Sequence, residues 1–211
     1  MNCPDQITLA IESAICGGSI SLLRDHREIA SWIGVSNMSK AEDLLFNIDA
    51  MLTANNIRRQ EIDLIAVSAG PGSFTGIRIG LATALGLKTG LGIKMSSESA
   101  LKAMAFSGSD RANLIAAIPM GRNAVCFQSL QKQEREVVAV DEPRTLAEDA
   151  FASLVGGEKD TTFVLHAALY EKIGSSSNVT NVGANIARAI GAICRDSVGV
   201  VTEPLFISKS F

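Results

Sequence analysis

The chain has 211 residues, of which 47% are hydrophobic and 19% are charged, and its formal net charge at pH 7 is −3. This composition excludes a disordered protein, and the length allows one large domain or two small lobes with a substantial core. Because it contains no apolar run of membrane-spanning length and no basic run, the sequence argues against a membrane protein and against autonomous nucleic-acid binding.

The first predicted elements are three strands joined as an antiparallel meander. Residues 7–11 form an apolar strand, a glycine pair turns the chain, and residues 19–23 and 28–35 supply the second and third strands. Glu12 follows the first strand directly, so the turn after this strand carries a carboxyl group.

A helix over residues 40–54 comes next. Ser39 and Glu42 have the spacing of a capping box, in which each side chain accepts a hydrogen bond from the other residue's backbone. The helix has an apolar stripe, which predicts one buried face and consists of Leu44, Leu45, Ile48, Met51 and Leu52.

A glycine-rich stretch separates a buried strand at residues 63–68 from an apolar helix at residues 77–91. Ser73 and Thr75 are the two candidate N-caps of this helix. A strand, a glycine loop and a helix can form a phosphate site, but purely structural glycine turns are common, and both interpretations stay open. The Gly-Lys-Ser/Thr triplet of a Walker A loop is absent. The candidate functional residues of this loop and helix start are Gly70, Pro71, Gly72, Ser73, Phe74, Thr75, Gly76 and Arg78.

Small residues recur every four positions along this helix, at Gly76, Gly80 and Ala84. One face of the helix is therefore bare, and another element can approach its backbone closely. That element belongs either to the core of this chain or to a partner protein.

The second half repeats the order of elements more weakly. Two β-β-β-α-β-α units in tandem predict two similar lobes, residues 1–97 and residues 98–211. The further predicted elements are a strand at 92–97, a helix at 98–107, strands at 114–118, 124–130 and 136–140, a helix at 146–154, a strand at 162–165 and a helix at 182–194.

The stretch from Ser68 to Leu87 resembles the signature of the TsaB (YeaZ) family. These proteins are non-catalytic partners of the transferase that makes N6-threonylcarbamoyladenosine (t6A) in tRNA. The resemblance implies an α/β fold of the actin-like ATPase (ASKHA) superfamily, with two ribonuclease-H-like lobes that each have a mixed five-stranded sheet and flanking helices.

The resemblance also implies partners. It implies a heterodimer with a TsaD-like catalytic homologue, a TsaE-like ATPase subunit in the complex, contact with tRNA through the complex, a homodimer when the chain is alone, and a cytoplasmic location. The two helices at residues 40–54 and 76–91 would meet the partner. The expected interface residues are Leu44, Leu45, Ile48, Gly76, Gly80 and Ala84.

The chain departs from the family at two carboxylate positions. TsaB proteins usually have Asp-Thr-Ser after the first strand, where the superfamily's acidic residue helps to hold a nucleotide-bound metal; this chain has Glu12-Ser13-Ala14. Glu12 is thus interpreted as a vestigial nucleotide or metal position. Residues 119–123 lack the acidic residue of the family's Asp-Ala-Arg. We expect no metal and no cofactor, with weak binding of ATP, ADP or phosphate at the lobe interface or within the complex as the alternative.

The sequence contains no catalytic set that we can assemble. Neither His26 nor His166 has an evident nucleophile beside it, and the four cysteines are scattered, which indicates thiols in a reducing cytosol. A second hypothesis remains, a self-sufficient nucleotide-dependent phosphotransferase or acyltransferase of the actin-like superfamily. Nucleotide hydrolysis by the purified chain would separate it from the binding subunit.

Overall fold

The structure is a computed structural model that describes residues 5–35, 41–121, 123–134, 136–196, 199, 201 and 203–206. The side chains of Ala41 and Glu42 are not among the described features. The predicted capping box of Ser39 and Glu42 therefore lies outside the described residues.

The first lobe is built on a five-stranded mixed sheet. Its strands are β1 (Ile7–Glu12), β2 (Ser19–Arg24), β3 (Arg27–Ile33), β4 (Leu64–Ser68) and β5 (Lys94–Glu98). The strand order is β3-β2-β1-β4-β5, in which the first three strands are antiparallel and β4 and β5 run parallel to β1.

Two helices complete this lobe, α1 (Ala41–Ala54) and α2 (Phe74–Leu91). They pack against each other, α1 also contacts β3, and α2 contacts β1, β4 and β5. The predicted stripe of α1 forms a core with the sheet through Leu44, Ile48, Met51 and Leu52, as the helical period requires.

The second lobe contains a six-stranded sheet. Its strands are β6 (Asn113–Met120), β7 (Ala124–Gln133), β8 (Glu136–Ala139), β9 (Arg144–Ala147), β10 (Thr162–Leu165) and β11 (Val179–Asn181). The order is β11-β10-β6-β7-β8, and β9 also pairs with β7. Helices α4 (Glu148–Gly157) and α5 (Ala167–Ile173) pack on this sheet over a core centred on Phe151 and Phe163. The second sheet thus has one strand more than the five that were expected.

Two further helices, α3 (Ala100–Gly108) and α6 (Ile186–Asp196), lie between the sheets. They pack against each other, α6 contacts the first sheet, and α3 contacts mainly the second. Their small side chains allow this close approach: at Gly191, an added Cβ would lie 2.5 Å from Leu23 Cδ1 and 3.0 Å from Ala10 Cβ. The core between the sheets therefore contains side chains of both lobes, and α6, from the second predicted lobe, packs on the sheet of the first.

Candidate functional site

The glycine-rich stretch links β4 to α2, as predicted. Gly70 has φ of +95°, and the peptide bond that follows it, to Pro71, is cis. A positive φ of this size favours glycine because it has no Cβ. Ser73 is the N-cap of α2, since its Oγ accepts a hydrogen bond from the Gly76 amide at 3.3 Å. Of the two candidate N-caps, Ser73 and Thr75, the residue that caps α2 is therefore Ser73.

The loop packs against the turn that follows β1. The Ser73 amide donates to the Ala14 carbonyl at 2.8 Å, and Ser13 Oγ donates to the Gly76 carbonyl at 2.8 Å. The Gly70 amide donates to Ser68 Oγ at 3.1 Å. Because these loop amides have acceptors within the chain, the contacts favour the structural interpretation of the glycine turn over a phosphate cradle.

The small-residue face of α2 is buried against the same turn. A Cβ on Gly76 would lie 2.2 Å from the Ser13 carbonyl oxygen, and one on Gly80 would lie 2.4 Å from Ser13 Oγ. Ala84 is fully buried in the core of the first lobe. The prediction that these three residues face a partner is therefore wrong, because the chain's own β1–β2 turn covers Gly76 and Gly80, and the core of the first lobe encloses Ala84.

Two of the predicted interface residues on α1 are also internal. Leu44 and Ile48 are buried in the core of the first lobe, which corrects the partner role expected of them. Leu45, in contrast, is 51% exposed. Sequence reasoning missed two neighbours of this kind: Phe46 on α1 is 72% exposed and Leu85 on α2 is 49% exposed. Their signal is apolar side chains outside the buried stripe of each helix.

A second exposed feature lies at the start of α2. The Arg78 guanidinium carbon lies 3.7 Å from the centre of the Phe74 ring, and that ring lies 4.9 Å from the ring of Phe206. The Leu205 amide donates to the Ala69 carbonyl at 2.8 Å, so residues near the C-terminus cross the glycine loop. Both rings are about half exposed, and no local pattern in the sequence indicates this contact.

Glu12 is buried, with 1% of its surface exposed. Its Oε1 accepts hydrogen bonds from the amides of Ala14 at 2.5 Å and Ile15 at 3.0 Å. Burial raises the pKa of Glu12 from 4.5 to about 8, and the two amide hydrogen bonds oppose this rise. Among the described residues, no group of three or more His, Cys, Asp and Glu comes together to hold a metal.

The other reactive side chains have structural roles. His166 caps α5, because its Nδ1 accepts a hydrogen bond from the Ala168 amide at 3.2 Å. Burial lowers the pKa of His166 to about 4. Cys126 and Cys194 are buried, which raises the pKa of both thiols. In the second lobe β6 ends at Met120 and β7 begins at Ala124, so this turn is where the family's carboxylate is missing.

No helix in the described part of the chain is long and apolar enough to cross a membrane.

The chain has sequence relatives among tRNA-modification proteins. The family model for tRNA N6-adenosine threonylcarbamoyltransferase (TsaD) matches residues 36–197. The tRNA threonylcarbamoyladenosine biosynthesis protein TsaB of Bacillus subtilis strain 168 is 29% identical over 143 residues, which cover 66% of this chain and 62% of the relative. TsaB of Escherichia coli K12 is 30% identical over 133 residues, 61% of this chain and 57% of the relative. The chain thus spans less than two thirds of these relatives.

Solved structures share the fold. YeaZ from Pseudomonas aeruginosa has a TM-score of 0.66 at 20% identity, with 91% of this chain and 93% of that chain covered. The ethanolamine utilization protein EutJ from Carboxydothermus hydrogenoformans has a TM-score of 0.54 at 10% identity, with 92% and 91% covered. The predicted actin-like ATPase fold is confirmed. Because the family model covers most of the chain and the curated matches include several TsaB proteins, this protein belongs to the family that the TsaD model describes, as a divergent TsaB (YeaZ) member.

Proposed function

We propose that this protein acts in the formation of t6A in tRNA, as a non-catalytic subunit that binds a TsaD-type transferase. Its family membership and the names of its TsaB relatives support the pathway. The partner would carry the chemistry, and this chain would hold the partner in its active arrangement.

The observation that carries the binding role is the exposed apolar surface of α1 and α2. Leu45, Phe46 and Leu85 are each about half exposed or more, on two helices that pack side by side. Large apolar side chains on adjacent helices favour a protein partner, since burying them on association removes apolar surface from water. We call Leu45, Phe46 and Leu85 the α1/α2 surface.

The buried titratable side chains of this chain support a non-catalytic role. The Glu12 carboxyl is buried and hydrogen-bonded to two amides, and His166 is buried with a low pKa. In the part of the chain that the structure describes, neither side chain is hydrogen-bonded to a serine, threonine or cysteine that could act as a nucleophile. A subunit that supplies a surface needs no such pair.

The wider assembly follows from the same proposal. A TsaE-like ATPase subunit would join the complex, tRNA would be bound by the complex as a whole, and weak ATP, ADP or phosphate binding would occur only there or at the lobe interface. The chain alone would form a homodimer through the α1/α2 surface, and the complex would work in the cytoplasm.

A charge on the α1/α2 surface should weaken partner binding strongly. We expect Phe46→Glu to weaken binding to the TsaD-type transferase of the same cell by roughly 30- to 100-fold, because the carboxylate would be desolvated without a partner. The melting temperature should stay within about 2 °C of the unchanged protein, since Phe46 is exposed. Calorimetric titration of the purified proteins measures the affinity.

Val140→Glu is the matched control, because Val140 is 65% exposed and lies in the second lobe. It should bind the transferase as the unchanged protein does. Equal affinity of Phe46→Glu and Val140→Glu would contradict the α1/α2 surface as the interface. ATP hydrolysis or acyl transfer by the purified chain without any partner would instead favour the independent enzyme.

A further inference from the structure

The turn between β1 and β2 is held from two sides. On one side its amides at Ala14 and Ile15 donate to Glu12 Oε1, at 2.5 and 3.0 Å. On the other side its carbonyls face the glycine loop, where Ala14 accepts from the Ser73 amide at 2.8 Å and Ser13 lies against Gly76.

The amides of this turn form a small acceptor-binding site. Two successive backbone N–H groups that point at one oxygen are the arrangement that binds anions and carboxyl groups in protein loops. Here the oxygen belongs to the chain itself. Glu12 is 1% exposed, and among the described residues no Lys, Arg or His forms an ion pair with it, so its carboxyl group is held by the two amides.

The turn is also closely packed by the two glycines beside it. A Cβ on Gly18 would lie 2.7 Å from the Glu12 carbonyl oxygen, and one on Gly72 would lie 2.7 Å from Ala14 Cβ. A phosphate or carboxylate that approached these amides would have to displace the Glu12 side chain.

We propose that the β1–β2 turn is a carboxyl-binding site that the chain fills with its own Glu12 side chain, and that this internal ligand positions α2. The link to α2 is direct, since Gly76 and Gly80 rest on Ser13, within the same turn. Glu12 is thus a positioning residue for the α1/α2 surface; this second step rests on the proposed function.

Replacement of the missing group by a free carboxylic acid tests the site. Glu12→Ala removes one methylene and the carboxyl group, which are about the size of acetate. We expect this variant to melt roughly 5–10 °C lower, because two buried amides lose their acceptor. Because burial keeps the Glu12 carboxyl protonated below about pH 8, acetic acid is the matching ligand. Added acetate should therefore restore about half of that loss at pH 5, where part of it is protonated, and should saturate, as mass action requires. Sodium chloride at equal ionic strength should not.

Three controls make the result specific. The unchanged protein and Glu12→Gln, whose amide oxygen can still accept both hydrogen bonds, should not respond to acetate beyond chloride. Asp63→Ala should not respond either, because the Asp63 carboxylate accepts from the Ile7 amide at 2.8 Å on an exposed residue, where no cavity is left. A Glu12→Ala protein that is folded and gains no more from acetate than Asp63→Ala would overturn the site.

If Glu12→Ala does not fold, the comparison of Glu12→Gln with the unchanged protein tests the site instead. Glu12→Gln should still melt within a few degrees of the unchanged protein at pH 6; a Glu12→Gln that is lost equally would overturn the site. Acetate should also restore the affinity of Glu12→Ala for the transferase. If acetate stabilises Glu12→Ala but this variant binds the transferase as well as the unchanged protein does, the positioning role is overturned and the carboxyl site stands. If the unchanged protein does not bind the transferase, the proposed function fails, and the melting experiment still decides the carboxyl site.

Discussion

Gly76→Ala should lower the free energy of unfolding by roughly 3 kcal/mol or more, although it adds one methyl group to a helix. The new Cβ would lie 2.2 Å from the Ser13 carbonyl oxygen and 2.7 Å from Ala14 Cα. Both atoms belong to the backbone, so neither can rotate away, and the turn after β1 would have to move from α2. Urea denaturation of the variant and of the unchanged protein measures the loss.

Gly86→Ala is the control within the same helix. Nothing lies within 4 Å of the Cβ that it would add, and the residue is exposed. We expect it to stabilise the protein by roughly 0.5–1 kcal/mol, because alanine has the higher helix propensity. Equal effects of the two substitutions would contradict the contact between α2 and the β1–β2 turn.

Glu12 should make the protein less stable as the pH rises. The pKa of Glu12 is raised in the folded state from 4.5 to about 8, so between these values the folded state holds a proton that the unfolded state has lost. The free energy of unfolding therefore falls from about pH 4.5 towards pH 8, and the decline from this group ends above the folded pKa. Removing the titrating group should remove this part of the pH dependence.

Glu12→Gln isolates that contribution. Its stability relative to the unchanged protein should rise by a few kcal/mol from pH 5 to pH 8 and should level off above about pH 9. Other groups titrate in both proteins and cancel in the difference. Urea denaturation at four or five pH values gives the curve. A constant difference between the two proteins would show that the Glu12 carboxyl titrates with an ordinary pKa.

Much of the first lobe is predictable because its signals are local. The apolar run at residues 7–11, the alternation at 19–23, the stripe of α1 and the glycine stretch before α2 lie within short windows of sequence, and each appears as expected. The second lobe was less predictable. Strands β9 and β11 and helix α5 have four, three and seven residues, which is too short for a clear period.

The start of α6 shows a different limit. The apolar pattern predicts a helix from residue 182, but the helix begins at Ile186. Gly183 has φ of +79°, and its amide donates to Asn181 Oδ1 at 2.8 Å, so this segment turns before the helix starts. Hydrophobic periodicity extends through such a turn and does not mark it.

The candidate site was predictable as a loop, and its surroundings were not. The sequence indicates that a bare face at Gly76, Gly80 and Ala84 meets something close, but Ser13, which the two glycines meet, lies more than sixty positions earlier. A local sequence pattern does not show which residue, far away in the sequence, makes such a contact. A large side chain at Gly80 would therefore test the packing of this chain and not its partner binding.

The α1/α2 surface is the converse case. The apolar stripe of α1 contains Leu44, Leu45 and Ile48, and the sequence alone does not distinguish them. The packing of α1 on the sheet buries Leu44 and Ile48 and leaves Leu45 exposed. The family resemblance implies these two helices as the interface, and the structure shows which of their large apolar side chains are exposed.

Reconstituted modification of tRNA tests the central claim most directly. The TsaD-type transferase and the remaining components would be incubated with unmodified tRNA, and t6A would be measured by mass spectrometry after digestion. We expect t6A with the unchanged chain and with Val140→Glu, and little or none with Phe46→Glu or without the chain. Equal t6A in the absence of the chain, or full modification with a Phe46→Glu protein that no longer binds the transferase, would contradict the account.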